Sequence, residues 1–160
     1  MISLLGSTGT IGVKTLSLLS NTDLKIFALT AHTNKKLLAN QIIKYNPLYA
    51  VIKSKNDAEY LKQLCDKKKI STKILSGESG LTYVSSHKRV SHVLSAIVGA
   101  AALSPTFNAV KAGKKILLAN KESLVMSGSL MIRTAKKTGA IIVPIDSEHN
   151  AILQIITAHG

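Results

Sequence analysis

The sequence predicts an α/β protein of Rossmann-like, doubly wound type: a mainly parallel sheet with helices on both faces. Three observations predict it. Short apolar runs alternate with amphipathic stretches of helical period along the chain. A glycine-rich turn, Gly6-Ser7-Thr8-Gly9-Thr10-Ile11-Gly12, joins the first apolar run to the first helical stretch. Of only eight acidic residues, three (Glu122, Asp146, Glu148) fall just beyond two later apolar runs. In open parallel sheets ligands bind beyond the carboxyl ends of the strands.

In chain order, Ile2–Leu5 reads as a buried strand and Thr10–Leu19 as a helix with Ile11, Thr15, Leu16, Leu18 and Leu19 at helical spacing. Leu24–Leu29 returns to strand. Lys35–Tyr45 is an amphipathic helix with Leu37, Leu38, Gln41, Ile42 and Tyr45 on one side, closed by Pro47. Tyr49–Ile52 is a strand, and Asn56–Lys67 a helix with Asn56 as its expected N-cap. Lys73–Leu75 reads as a short strand and Leu81–Val84 as part of a small helix. The alternation then resumes with strand Val93–Ile97, helix Pro105–Ala112, strand Lys115–Leu118, helix Glu122–Thr138, strand Ala140–Pro144 and helix Ser147–Ile156.

At 160 residues the chain fits one domain large enough to bury a core. No window approaches eighteen uninterrupted apolar residues, so a membrane span is not expected. Cys65 is the single cysteine, which leaves no intrachain disulfide and fits a reducing compartment. No export signal follows Met1. A cytoplasmic location is expected, with a plastid-type organelle open if a leader has been removed. The formal charge is +13, but the lysines are scattered and aromatics make up 4% with no Trp. That leaves little for base stacking, so a solvated basic surface is favoured over nucleic-acid binding.

The glycine turn is a variant of the dinucleotide fingerprint. Gly6 permits the tight turn, Gly9 lets backbone approach a pyrophosphate, and Gly12 lets helix pack on strand, while the helix N-terminus offers unpaired N–H groups. The second strand runs into Thr30-Ala31-His32-Thr33-Asn34-Lys35-Lys36, without the carboxylate that would hold a ribose 2′-hydroxyl. That favours NADP over NAD. Lys35 and Lys36 read either as a solvated first helical turn or, since lysine at a helix start is disfavoured by the helix dipole, as a pair that a bound anion would help explain.

Asp146 and Glu148 are two residues apart, so in extended chain both carboxylates face one side. Oxygen donors without cysteine suit Mg²⁺ or Mn²⁺. Spacing alone leaves a second reading open, in which Asp146 caps the following helix and Glu148 meets its dipole. Lys121, between Asn120 and Glu122, is either a surface lysine or a cation at the site mouth. His149 reads as peripheral, and His32, His87, His92 and His159 carry no motif.

On these residues the chain resembles the N-terminal part of the 1-deoxy-D-xylulose 5-phosphate reductoisomerase family. The family's Gly-Ser-Thr-Gly-Ser-Ile-Gly loop resembles Gly6 through Gly12. Its Leu-Leu-Ala-Asn-Lys-Glu-Ser-Leu-Val matches Leu117 through Val125, and its Pro-Val-Asp-Ser-Glu-His-Asn-Ala-Ile-Phe-Gln resembles Pro144 through Gln154. Its Ala-Ile-Val-Gly-Ala-Ala-Gly-Leu segment resembles Ala96 through Leu103. The resemblance implies an NADPH- and Mg²⁺- or Mn²⁺-dependent oxidoreductase of non-mevalonate isoprenoid synthesis, which makes 2-C-methyl-D-erythritol 4-phosphate from its sugar-phosphate substrate.

By the same resemblance Thr8, Gly9, Thr10 and Ile11 line the pyrophosphate site, with Gly6 and Gly12 of the same loop also cofactor-binding. Thr33 and Asn34 lie near the 2′-phosphate, and Asn120 and Glu122 contact the cofactor. Lys121, Ser147 and Glu148 meet the substrate, with Lys121 and Glu148 catalytic, and Asp146 and Glu148 ligate the metal. The family's lysine after the second strand is absent, with Lys35 or Lys36 as stand-ins. Family members form homodimers and continue into a catalytic domain. Residues 1–160 are therefore expected to be an NADPH-binding domain that ends in the first part of the metal and substrate site, a truncated portion inactive alone. The competing readings are another NADP oxidoreductase of Rossmann type, such as a semialdehyde dehydrogenase, and a non-catalytic basic nucleotide-binding module.

Overall fold

The structure, a computed structural model of the chain, describes residues 1–119 and 121–145, the side chain of Lys121 excepted. The described strands are β1 (Ile2–Leu5), β2 (Ile26–Ala31), β3 (Tyr49–Ile52), β4 (Lys73–Ser76), β5 (His92–Ser95), β6 (Lys115–Leu118) and β7 (Ile141–Pro144). The helices are α1 (Thr10–Leu19), α2 (Lys35–Tyr45), α3 (Lys55–Lys68), α4 (Gly77–Ser86), α5 (Leu103–Lys111) and α6 (Lys121–Thr138), with a 3₁₀ turn at Ala100–Ala102.

All seven described strands lie in one sheet of order β4-β3-β2-β1-β5-β6-β7, and every neighbouring pair is parallel. The chain steps outward from β1 to β4, then crosses back to the other side of β1 and steps outward again. Crossovers between parallel strands are right-handed, so reversing the direction moves the connecting helices to the opposite face. The packing follows. Leu16 of α1, Leu38 and Ile42 of α2 and Leu61 of α3 bury one face against Ile2, Leu4, Leu29 and Ile52. Val84 of α4, Ala109 and Val110 of α5 and Leu124 of α6 cover the other, against Leu5, Phe27, Val51, Val93 and Ile116. Leu4 and Leu5 belong to opposite faces, as the period of two along a strand requires.

Several element boundaries move from those the sequence predicts. Strand β2 begins at Ile26 because Leu24 directly follows the bend at Thr22 and Asp23, its N–H meeting Thr22 Oγ1 at 3.4 Å. The cap of α3 is Ser54, whose hydroxyl accepts from the Asp57 N–H, so Asn56 falls inside the first turn. Helix α2 is closed by Asn46 in the left-handed region (φ 43°), and Pro47 merely follows. Strand β5 stops at Ser95, level with the end of β1 at Leu5. Helix α5 starts at Leu103, two residues ahead of Pro105, because the N–H that proline lacks has no acceptor in a first turn anyway. The helix around Leu81–Val84 extends over Gly77–Ser86. Only Gly12 and Leu16 of α1 are fully buried, while Ile11 and Leu18 face outward at 40% and 69% exposure. The helix expected at Ser147–Ile156 lies outside the described residues. No helix among the described residues is long and apolar enough to cross a membrane.

Two histidines make stability depend on pH. The His87 ring stacks on Phe27 with centroids 4.7 Å apart, and its Nδ1 accepts the Arg89 N–H. Burial pushes its pKa down, helped by Arg89, Lys88 and Lys114. Burial does the same to His92, with Lys115 and the chain's amino terminus adding to it. A base whose pKa is lower folded than unfolded lets the unfolded chain bind its proton first. The stabilisation is therefore intact above the unfolded value of about 6.5 and is lost as pH falls through it. Melting temperature should drop between about pH 7 and pH 5. A His87→Gln, His92→Gln variant should show a smaller drop, and an equal drop would contradict the assignment.

Candidate functional site

Because all described strands run the same way, their carboxyl ends share one rim. Leu5, Ser95, Leu118 and Pro144, the last residues of β1, β5, β6 and β7, stand in register across the sheet. With neighbouring strands about 4.8 Å apart, β1 and β7 are separated along this rim by roughly 14 Å. The direction of strand order reverses between β1 and β5, which splays the loops after those strands and opens a crevice.

The glycine turn sits in that crevice. Gly6 has φ +86°, and a Cβ there would lie 2.6 Å from the Ala96 carbonyl oxygen beyond β5. A Cβ on Gly12 would meet the Gly6 oxygen at 2.4 Å and the Ser7 Cα at 2.6 Å. Gly9 is different. Its φ is −81°, and the nearest atom to a built Cβ is the Gly6 oxygen at an ordinary 3.5 Å. The fold therefore requires Gly6 and Gly12 but gives no steric reason for Gly9, which is exposed. Gly9 caps α1 without a side chain, and no acidic residue occupies the first turn. The Val13 N–H bonds back to the Gly9 carbonyl at 2.9 Å, so the amides of the preceding first turn point outward at the rim.

A buried polar knot holds this turn. The Ser7 N–H donates to the Thr30 carbonyl at 2.8 Å, and the Gly6 N–H donates to Thr30 Oγ1 at 2.9 Å. The Ser7 hydroxyl donates to Gln41 Oε1 at 2.7 Å, and Gln41 Nε2 donates to the Ser7 carbonyl at 2.8 Å. Motif reading had missed this knot. Its one visible signal was Gln41, a polar residue on the apolar side of α2.

Beyond β2, His32 and Thr33 are exposed. The Asn34 side chain caps α2, its oxygen accepting the Leu37 N–H at 3.1 Å, which leaves its NH₂ group to donate elsewhere. The two candidate stand-ins for the missing lysine behave differently. Lys35 is held by Asp57 of α3 at 2.6 Å and lies over the Tyr60 ring. Asp57 thus gives Lys35 a partner within the fold. Lys36 is exposed and, among the described residues, has no ion-pair partner.

At the other end of the rim, Glu122 lies half-buried in the first turn of α6, where a carboxylate suits the helix dipole. The Ile145 N–H donates to the Leu118 carbonyl at 2.9 Å, so the described chain leaves β7 at the rim. Asn120, Asp146, Ser147, Glu148 and the side chain of Lys121 lie outside the described residues. Among the described residues no three His, Cys, Asp or Glu side chains gather as metal ligands. A cavity of about 680 Å³ lies elsewhere, between α3 and α4 beside β4, lined by Tyr49, Lys55, Lys62 and Tyr83.

The family model for 1-deoxy-D-xylulose 5-phosphate reductoisomerase matches residues 2–128. The chain belongs to this family. The reductoisomerase of Idiomarina loihiensis is 50% identical over 157 residues, 97% of this chain and 39% of its own length. That of Francisella tularensis subsp. novicida is 48% identical over 159 residues, 99% of this chain and 40% of its own. The chain thus spans about two fifths of the curated relatives it matches. A crystal structure of the family's enzyme with NADPH, fosmidomycin and magnesium superposes with TM-score 0.92 at 45% identity, covering 96% of this chain and 38% of that one. The Zymomonas mobilis enzyme with NADPH gives 0.89 at 38% identity, covering 96% and 40%. A homoserine dehydrogenase from Thiobacillus denitrificans, at 0.52 and 20% identity, shares the fold alone.

The three glycines give a stability test. Gly12→Ala should cost about 2 kcal/mol or more, since the three atoms nearest its Cβ are all backbone. Gly9→Ala should stay within about 0.5 kcal/mol of the parent in chemical denaturation. Equal losses would contradict the packing described.

Proposed function

We propose that residues 1–160 form the NADPH-binding domain, and the first part of the metal and substrate site, of an enzyme that converts 1-deoxy-D-xylulose 5-phosphate to 2-C-methyl-D-erythritol 4-phosphate. The observation that carries the reading is the start of α1 at the β1/β5 crevice, capped by no side chain and beside a glycine the fold does not need. A pyrophosphate fits there: backbone N–H groups face it, the helix dipole favours its charge, and the bare Gly9 lets it approach.

In this reading Thr8, Gly9, Thr10 and Ile11 line the pyrophosphate, and Gly6 and Gly12 shape the cofactor-binding turn that holds it. Thr33, the Asn34 amide and Lys36 serve the 2′-phosphate, and Lys36 takes the place of the family lysine. Asn120 and Glu122 orient the cofactor further along the rim. Lys121 and Ser147 hold the anionic substrate, and Lys121 and Glu148 act at the reacting centre. NADPH, when bound, supplies the hydride, and the protein supplies orientation. Asp146 and Glu148, as oxygen donors, would hold a hard cation, Mg²⁺ or Mn²⁺, which would polarise the substrate carbonyl.

Calorimetry tests the assignment. NADPH should bind at least about tenfold more tightly than NADH, the worth of one charge-assisted hydrogen bond. Lys36→Ala should narrow that gap and Lys35→Ala should leave it; equal affinities in the parent protein would contradict the reading. Gly9→Ala should weaken NADPH binding at unchanged stability. Asp146→Asn should weaken Mn²⁺ binding about tenfold or more and spare NADPH, and unchanged Mn²⁺ affinity would remove Asp146 from the ligand set.

A further inference from the structure

Gln41 is a polar side chain in an apolar setting. It lies on α2 beside Leu38 and Ile42, both fully buried, and is itself only 5% exposed. A methionine or leucine would fill the same space without desolvating an amide. What the amide adds is a pair of bonds to one residue of the glycine turn, Ser7, thirty-four positions away in sequence. Their polarity is fixed by chemistry. The Ser7 carbonyl can only accept, so Nε2 must face it, and Oε1 is left for the Ser7 hydroxyl. Ser7 is fully buried, and its N–H is anchored to the Thr30 carbonyl on β2. No buried polar side-chain atom among the described residues lacks a partner, so this network is closed.

The bonds join two separate parts of the site. Ser7 lies in the turn that leads into α1. Asn34, the cap of α2, lies seven residues before Gln41, about 10 Å along the same helix axis. Resting on the NADPH reading above, we propose that Gln41 is a positioning residue for the cofactor. It sets the distance between the glycine turn and the start of α2, so that the pyrophosphate and the 2′-phosphate of one dinucleotide are held together. Gln41 does not touch the ligand; it acts through Ser7.

The experiment compares two probes by calorimetry: NADPH, which needs both ends of the site, and adenosine 2′-monophosphate, which lacks the pyrophosphate. Gln41→Leu should weaken NADPH about tenfold or more, because the buried Ser7 carbonyl loses its Nε2 donor while the Ser7 hydroxyl turns to the Thr30 carbonyl 3.1 Å away, and weaken the monophosphate much less. A general loosening of the fold would weaken both by the same factor, and that result would overturn the proposal, as would unchanged NADPH affinity. Gln41→Glu supplies a second readout if the leucine variant does not fold. Its ionised carboxylate opposes the Ser7 carbonyl, whereas its protonated form restores an O–H donor. NADPH affinity of Gln41→Glu relative to the parent should therefore recover as pH is lowered, and a ratio independent of pH would overturn the role. If the parent protein binds neither probe, the cofactor reading itself fails; if the parent binds both and the variants match it, only the role of Gln41 fails.

Discussion

No side chain fits between the first turn of α1 and the end of β1. A Cβ at Gly12 would penetrate the Gly6 carbonyl and the Ser7 backbone, so the helix starts hard against the strand it follows. The rest of the site depends on that contact. It brings the positive end of the helix to the rim, and it does so where strand order reverses and the neighbouring loops part. The proposed anion site is made by backbone, and its geometry is set by the absence of side chains.

The sheet extends that local geometry along the rim. Four strand ends stand level from β1 to β7, so any residue that directly follows one of them begins near the same edge. The glycine turn after β1, Glu122 after β6 and Ile145 after β7 are far apart in sequence but leave from one rim. The buried knot of Ser7, Thr30 and Gln41 ties the first of these loops to β2 and α2. Polar groups at this depth are costly unless fully paired, and here they are paired, which makes the turn stiff rather than merely present.

Much of this was legible in the sequence because the signals were periodic or chemically constrained. Ile2–Leu5, Thr10–Leu19, Lys35–Tyr45, Tyr49–Ile52 and Lys115–Leu118 stand where apolar period places them. The misplacements have local causes. A proline inside the first turn of α5 looked like the start of the helix. Serine outcompeted asparagine as the cap of α3, and the face of α1 turned on Gly12, which carries no hydrophobic signal. In the site, the glycine motif identified the turn, but its three glycines have different duties, and only packing separates Gly9 from the other two. Lys35 looked like an anion ligand because its partner, Asp57, is on another helix and the ion pair spans twenty-two residues. Gln41 shows in the sequence as a polar residue on the apolar side of α2, but no motif gives its role, because that role lies in a contact between distant segments.

Hydrogen exchange with and without NADPH tests the central claim most directly, because it reports on each backbone amide in place. Protection should appear at the glycine turn and the first turn of α1, extend to the segment after β2, and be absent from the cavity beside β4. Protection confined to Lys55, Ile74 and Tyr83 around that cavity, with the glycine turn unchanged, would contradict the account.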